Sequence, residues 1–213
     1  MLQARGLRYV RDGQLILSDV DLTVAAGESL AVTGPSGSGK TSLLALLSGL
    51  TRATAGEVCI DGTLLTGLAG PAAGVALILQ GYGLVSLLTA AENIQVALRA
   101  AGVPAPAAPP ASRRALAQLG LEAHADQLVE ELSGGQQQRV AVARALAIQP
   151  RLVIGDEPTA ELDPAARAFV LAHIFGVVTE GGSLVLATHD PEVAERCDRT
   201  LDLREAVSEA TSA

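Results

Sequence analysis

The sequence predicts an α/β fold: a buried parallel sheet with helices, preceded by an antiparallel β portion and interrupted by a helical insertion. Three observations carry this. An apolar run at 29–33 leads into a glycine-rich loop and then a segment with Leu43, Leu44, Leu46 and Leu47 at helical spacing. Further apolar runs at 75–79, 152–154 and 183–187 have the character of strands, the last two suiting the centre of a parallel sheet. Helical patterns gather in the middle of the chain, between strand-rich ends.

Each element follows in order. Up to about Glu28, apolar and polar residues alternate (Leu15, Leu17, Val20, Leu22, Val24), with turn signals at Asp12-Gly13 and Ala26-Gly27, which predicts an antiparallel sheet of short strands. The helix at 41–50 is closed by Gly49 and Gly56. Segments 58–60 and 75–79 read as strands, and 90–101 as a helix. The Pro/Ala-rich stretch 102–110 cannot continue that helix and predicts a solvent-exposed connector. Helical patterns resume at 112–121 and 135–147, and no internal repeat is present.

The 213 residues fit one domain, or one domain with a small inserted subdomain. Hydrophobic residues make up 49% and aromatics only 2%, so the core must be built from Ala, Val and Leu. No stretch of roughly 18 apolar residues suggests a membrane span, and the opening segment lacks a signal peptide's apolar centre. A cytosolic location is expected, with room for a seat on a membrane protein. The net charge of −8 argues against a broad nucleic-acid surface, though not against one bound nucleotide. Cys59 and Cys197 share no metal-ligand spacing and suggest no disulfide framework.

Gly34-Pro35-Ser36-Gly37-Ser38-Gly39-Lys40-Thr41 matches the P-loop pattern in full. The glycines let the backbone curl its N–H groups inward on phosphates, and the following helix offers its positive end. Lys40 should reach the β- and γ-phosphates of ATP, and Thr41 should place its hydroxyl on Mg²⁺. Lys40 is also the only lysine beside 14 arginines, at a place where a compact ammonium fits and a planar fork does not. The fold class is therefore a P-loop NTPase (RecA-like) core with an N-terminal antiparallel β subdomain and an inserted α-helical subdomain.

The run Leu152-Val153-Ile154-Gly155-Asp156-Glu157 ends an apolar strand in two carboxylates. Asp156 is placed to hold Mg²⁺, and Glu157 is the candidate general base for the attacking water. Leu132-Ser133-Gly134-Gly135-Gln136 opens a helix, with Ser133 a good N-cap and two glycines that permit close approach of another backbone.

Together these motifs resemble the nucleotide-binding subunits of ABC transporters over nearly the whole chain. In order come the P-loop, Gln80, LSGGQ at 132–136 followed by QQRVAVARAL, the Asp156-Glu157 strand end, Asp163 in AELD, and His189 in ATHD. The resemblance implies that two copies pair head to tail. Ser133 and Gly135 of one copy, with Gly134 and Gln136 beside them, would meet the ATP held by Lys40 of the other. Gln80 would sense the γ-phosphate and Mg²⁺ at the junction with a helical subdomain spanning about 83–149. His189 would contact the γ-phosphate and position the water, and Asp163 would carry signals between the two sites. Tyr9 lies where the family places an aromatic that stacks on adenine; the alternative is a sheet-edge tyrosine. Tyr82 is expected to face a membrane partner rather than the nucleotide. The implied partners are a transmembrane permease subunit and a second copy of the chain, at the cytoplasmic face of the cell membrane.

The stretches LQGYGL and LTAAEN resemble most the group containing the macrolide-exporter and lipoprotein-releasing ATPases, with a cell-division ATPase nearby. Two departures stand out. Gly155 takes a strand position usually filled by a bulkier residue, which would loosen packing beneath Asp156. The end, LDLREAVSEATSA, lacks the glycine that usually starts a last hairpin, so fraying is expected there. Two other classes compete. A soluble ATPase of translation or DNA is opposed by the single nucleotide-binding unit, the acidic charge and the lack of a long coiled coil. A non-catalytic binding module is opposed by the intact set of Glu157, Gln80 and His189.

Overall fold

The computed structural model describes residues 1–65 and 71–203. Strands β1 (Leu2–Arg11) and β2 (Gln14–Val24) form an antiparallel ribbon closed at Asp12 and Gly13. Both turn residues have positive φ, 51° and 77°, as a two-residue turn that follows the strand twist requires. These strands are longer than the sequence predicts, at 10 and 11 residues. They stay paired because register shifts beginning after Ala4 let the ribbon curl instead of ending. β4 (Ala55–Ile60) and β5 (Thr63–Leu64) complete a four-stranded sheet in the order β2-β1-β4-β5. At the β1–β4 crossing a Cβ on Gly56 would sit 2.2 Å from the Gly6 carbonyl oxygen, so the approach needs glycine.

The second sheet has the order β6-β7-β8-β3-β9, and all its pairings are parallel. Its strands are β3 (Ser29–Thr33), β6 (Val75–Ile78), β7 (Leu152–Asp156), β8 (Ser183–Ala187) and β9 (Arg199–Asp202). Side chains alternate between two cores, as a period of two demands. Val153, Leu184 and Leu186 point into the core shared with the helical layer. Leu152, Ile154 and Val185 point into the core shared with α1 (Lys40–Leu47) and the antiparallel sheet. α1 thus lies between the two sheets, with its four buried leucines as predicted.

The helical layer consists of α2 (Ala90–Ala100), α3 (Ala108–Gln118) and α4 (Gly134–Ala147), with 3-10 turns at Ala105–Ala107, Glu122–His124 and Val129–Glu131. α5 (Pro164–Thr179) packs on β7, β8 and α4, and the short α6 (Pro191–Glu195) on β3. The proline stretch is a correction to the sequence reading. Rather than forming a connector throughout, it opens α3, with Pro109 in the first turn and Ala108 only 2% exposed. Proline suits that place because first-turn N–H groups have no intrahelical acceptor to lose. Gly155 is a second correction. A Cβ there would lie 2.8 Å from Leu186 Cδ2 and 3.4 Å from Pro158 Cγ, so neighbours fill the space and packing is not loosened. The expected fraying at the end falls on residues 204–213, outside the described residues, except for Leu201–Leu203.

Candidate functional site

Parallel strands in the order β6-β7-β8-β3 all end at the same edge of the sheet. Ile78 pairs with Gly155, Asp156 with Ala187, and Ala187 with Val32, so the four ends are level. The residues at and beyond each end therefore stand in a row: Gln80 after β6, Asp156 at the end of β7 and Glu157 after it, His189 after β8, and Gly34 after β3. Open α/β sheets bind ligands outside such carboxyl ends. A cleft of about 450 Å³ separates Gly34 and Pro35 from Thr188 and His189.

The loop from Gly34 to Gly39 is shaped by positive φ at Gly34 (144°), Gly37 (82°) and Gly39 (97°). Gly34 lies tight against Ser38, where a Cβ would stand 2.7 Å from Oγ, and its φ of 144° disfavours any residue with a side chain. That Ser38 hydroxyl is buried without a hydrogen-bond partner. α2, α4, α5 and α6 are capped by the side chains of Thr89, Ser133, Asp163 and Asp190, whereas α1 has Gly39 at its N-cap and no side-chain cap. Its first amides need acceptors from elsewhere, which an anion such as phosphate supplies. Lys40 Nζ donates to the carbonyls of Gly34 (2.7 Å) and Pro35 (3.1 Å), curled over the loop.

The Thr41 hydroxyl donates to Asp156 Oδ2 at 2.6 Å, joining α1 to the end of β7. A hydroxyl and a carboxylate converging in this way are hard oxygen donors of the type Mg²⁺ takes, with the remaining positions left for phosphate and water. Asp156 is only 5% exposed. Glu157 adopts φ 49°, an uncommon conformation for a residue with a side chain. Its Oε1 accepts from the His189 backbone N–H (2.9 Å) and contacts His189 Nδ1 (2.8 Å). With the proton on Nδ1, Nε2 is left facing outward, and the His189 side chain is 74% exposed against 12% for Glu157.

Gln80 is exposed beyond β6. Two and three residues on, Tyr82 and Gly83 have φ of 59° and 60°, and Arg144 on α4 donates to both carbonyls, to Tyr82 at 2.8 Å. Burial lowers the Arg144 pKa. Burial, and then the charge of Glu161, raise that of the Tyr82 phenol. The Tyr82 hydroxyl lies 3.4 Å from where a Gly134 Cβ would be, so this tyrosine turns toward the LSGGQ segment.

That segment belongs to the helical layer and not to the row of strand ends. Ser133 caps α4, accepting from the Gln136 N–H, while Gln136 Oε1 accepts from the Ser133 N–H at 2.8 Å. Ser133 and Gly134 are exposed. Gly135 lies against Leu162 and the Glu161 carbonyl, so the loop holding Asp163 abuts the start of α4. Asp163 Oδ1 accepts from Ala165 and Ala166, capping α5. Tyr9 is half-buried on β1, opposite Leu17. His124, which carries no motif, meets Gln136 Nε2 with its own Nε2 at 2.7 Å. Nothing in the sequence flags it, because the contact exists only once the turn at Glu122–His124 folds against α4.

Comparison with known proteins adds the relatives of this arrangement. A family model described as ABC transporter matches residues 17–160. The lipoprotein-releasing system ATP-binding protein LolD of Chromohalobacter salexigens is 40% identical over 214 residues, covering 95% of this chain and 90% of that protein. A probable export ATP-binding/permease protein of Pseudomonas fluorescens is 38% identical over 195 residues, which are 89% of this chain and 30% of that longer one. Among solved structures, a dimeric ATP-binding cassette in a post-hydrolysis state with ADP and Pi superposes with a TM-score of 0.88. It is 30% identical and covers 97% of this chain and 95% of its own.

Proposed function

The chain belongs to the ABC transporter family as an ATP-binding, ATP-hydrolysing subunit, and on that premise we propose that two copies close head to tail on two molecules of Mg-ATP beneath a membrane permease. One observation carries the reading. The strand ends gather Gln80, Asp156, Glu157, His189 and the P-loop in one row, while the LSGGQ cap stands exposed on a different layer. A site built in this way lacks a cover, and the exposed cap of a second copy supplies it.

Each residue then has a task. The amides of the loop from Gly34 to Gly39 and the ammonium of Lys40 bind phosphate oxygens. Thr41 and Asp156 would hold Mg²⁺, with Gln80 reaching it from the end of β6. Magnesium bound there supplies charge neutralisation on the phosphate oxygens. Glu157 accepts the proton of the attacking water, and His189, held on Glu157 through Nδ1, turns Nε2 toward the γ-phosphate. Ser133, Gly134, Gly135 and Gln136 of the second copy close over that phosphate, and Asp163 lies at the seam. Tyr9 stacks on the adenine ring. The helical subdomain of about 83–149 carries the cover.

The permease seats in the apolar groove between β6 and α2, lined by Leu79, Val85, Val96, Ala97 and Ala145. Val85 and Val96 are 51% and 56% exposed there, large apolar side chains that no described residue covers. A relative whose name joins ATP-binding and permease in one protein supports that occupant. Seating there puts the chain on the cytoplasmic face of the membrane. The test is mass in solution with hydrolysis blocked. ATP should convert monomer to dimer and Ser133→Arg should prevent it; a dimer in nucleotide-free buffer that ATP leaves unaltered contradicts the reading.

A further inference from the structure

We infer that His124 is a positioning residue for the LSGGQ segment: its neutral imidazole holds the Gln136 amide so that the Gln136 oxygen caps Ser133. This rests on the reading that LSGGQ covers ATP in a second copy. Gln136 Oε1 accepts from the Ser133 N–H at 2.8 Å, which turns the amide NH₂ toward His124 Nε2 at 2.7 Å. That imidazole nitrogen must therefore accept, and the ring carries its proton on Nδ1, which is buried with no partner.

Protonated His124 would present an N–H to the Gln136 NH₂, donor against donor. Flipping the amide relieves that clash only by turning NH₂ onto the Ser133 N–H. One of the two bonds is lost in either case, so the capped segment is compatible with neutral His124 alone. The ionisable groups on or beside the elements packed around the ring are Glu122 and Asp126, Arg113 and Arg114 on α3, and Arg139 and Arg144 on α4, the last bonded to the Tyr82 carbonyl. Arg113 is bonded to Asp126, and Arg139 to the carbonyls of Leu119 and Gly135. The ring's one hydrogen-bond contact among the described residues is therefore Gln136.

The test uses the full chain. Amide resonances of Ser133 and of the Gln136 side chain are followed by NMR through an acid titration without nucleotide, in the wild type and in His124→Gln, which keeps an acceptor oxygen but cannot titrate. ATP-driven dimerisation is measured in parallel at pH 8 and pH 6, with Glu157→Gln blocking hydrolysis in both. The Ser133 amide should follow the imidazole in the wild type only. Dimer affinity should fall on acidification about fivefold more in the wild type than in His124→Gln, as loss of one hydrogen bond of the capping pair implies. His189 and His173 are common to both proteins, so their titration cancels in the comparison. Parallel dimerisation curves, or a Ser133 amide indifferent to the imidazole, overturn the inference. The wild-type titration decides alone if the variant misfolds. A Ser133 amide that follows His124 while ATP never dimerises either protein would support the His124 link and contradict the sandwich.

Discussion

Glu157 and His189 form a closed pair: one carboxylate oxygen receives both the backbone N–H and the Nδ1 of the same histidine, at 2.9 and 2.8 Å. The pair spans adjacent strands, since Glu157 follows β7, His189 follows β8, and the Glu157 N–H donates to the Ala187 carbonyl at 3.0 Å. A carboxylate held in this way is fixed in place before any ligand arrives, and its second oxygen accepts from the Thr188 hydroxyl only at 3.5 Å. The left-handed backbone at Glu157 (φ 49°) turns the side chain back toward β8, a cost the two bonds to His189 offset.

Lys40→Ala should weaken ATP binding roughly a hundredfold, about 3 kcal/mol, because no other cation stands in the loop to meet the phosphates. Calorimetry with ATP and magnesium checks this. Near-normal affinity in the variant would contradict the assignment.

Gly155→Ala should destabilise the chain by about 1–3 kcal/mol, the cost of overpacking, since its Cβ would press on buried Leu186. Thermal or urea unfolding measures it. An unchanged or raised stability would mean that the space beneath Asp156 is slack.

The legible parts of this protein are those whose chemistry is local. Eight consecutive residues define the phosphate loop, and the apolar runs at β3, β7 and β8 announce a buried sheet, so the row of strand ends follows from them. The illegible parts depend on partners distant in sequence. β9 is four residues of mixed polarity, RTLD, and is a strand only because β3 offers it an edge. α5 carries buried Val170 and Ile174 but also exposed Phe169, so apolar residues surround it and a helical period gives no signal. Prolines at 109 and 110 read as a break when taken as interior residues and as a helix start when taken as first-turn residues, and only packing of Ala108 separates the two. His124 is silent for the same reason.

Asp198 gives a prediction in pH. Its Oδ2 accepts from the Ser29 hydroxyl (2.7 Å) and N–H (2.8 Å), and these bonds hold its pKa below the ordinary carboxylate range. A lowered folded pKa contributes stability that is present above the unfolded value of about 3.9 and lost as pH falls through the folded one. The Tm advantage of the wild type over Asp198→Asn should therefore be larger at pH 7 than at pH 3. An equal gap at both pH values would show that the charge contributes nothing.

The central claim is that Glu157 takes the proton of the attacking water in a site completed by a second copy. Glu157→Gln keeps the shape but accepts no proton, and general-base catalysis is worth about a hundred- to ten-thousand-fold in rate. The decisive measurement is single-turnover ATP hydrolysis by Glu157→Gln alongside its mass in solution. The account predicts an ATP-bound dimer that accumulates with hydrolysis slowed at least about a hundredfold. Brisk hydrolysis by the variant would contradict it.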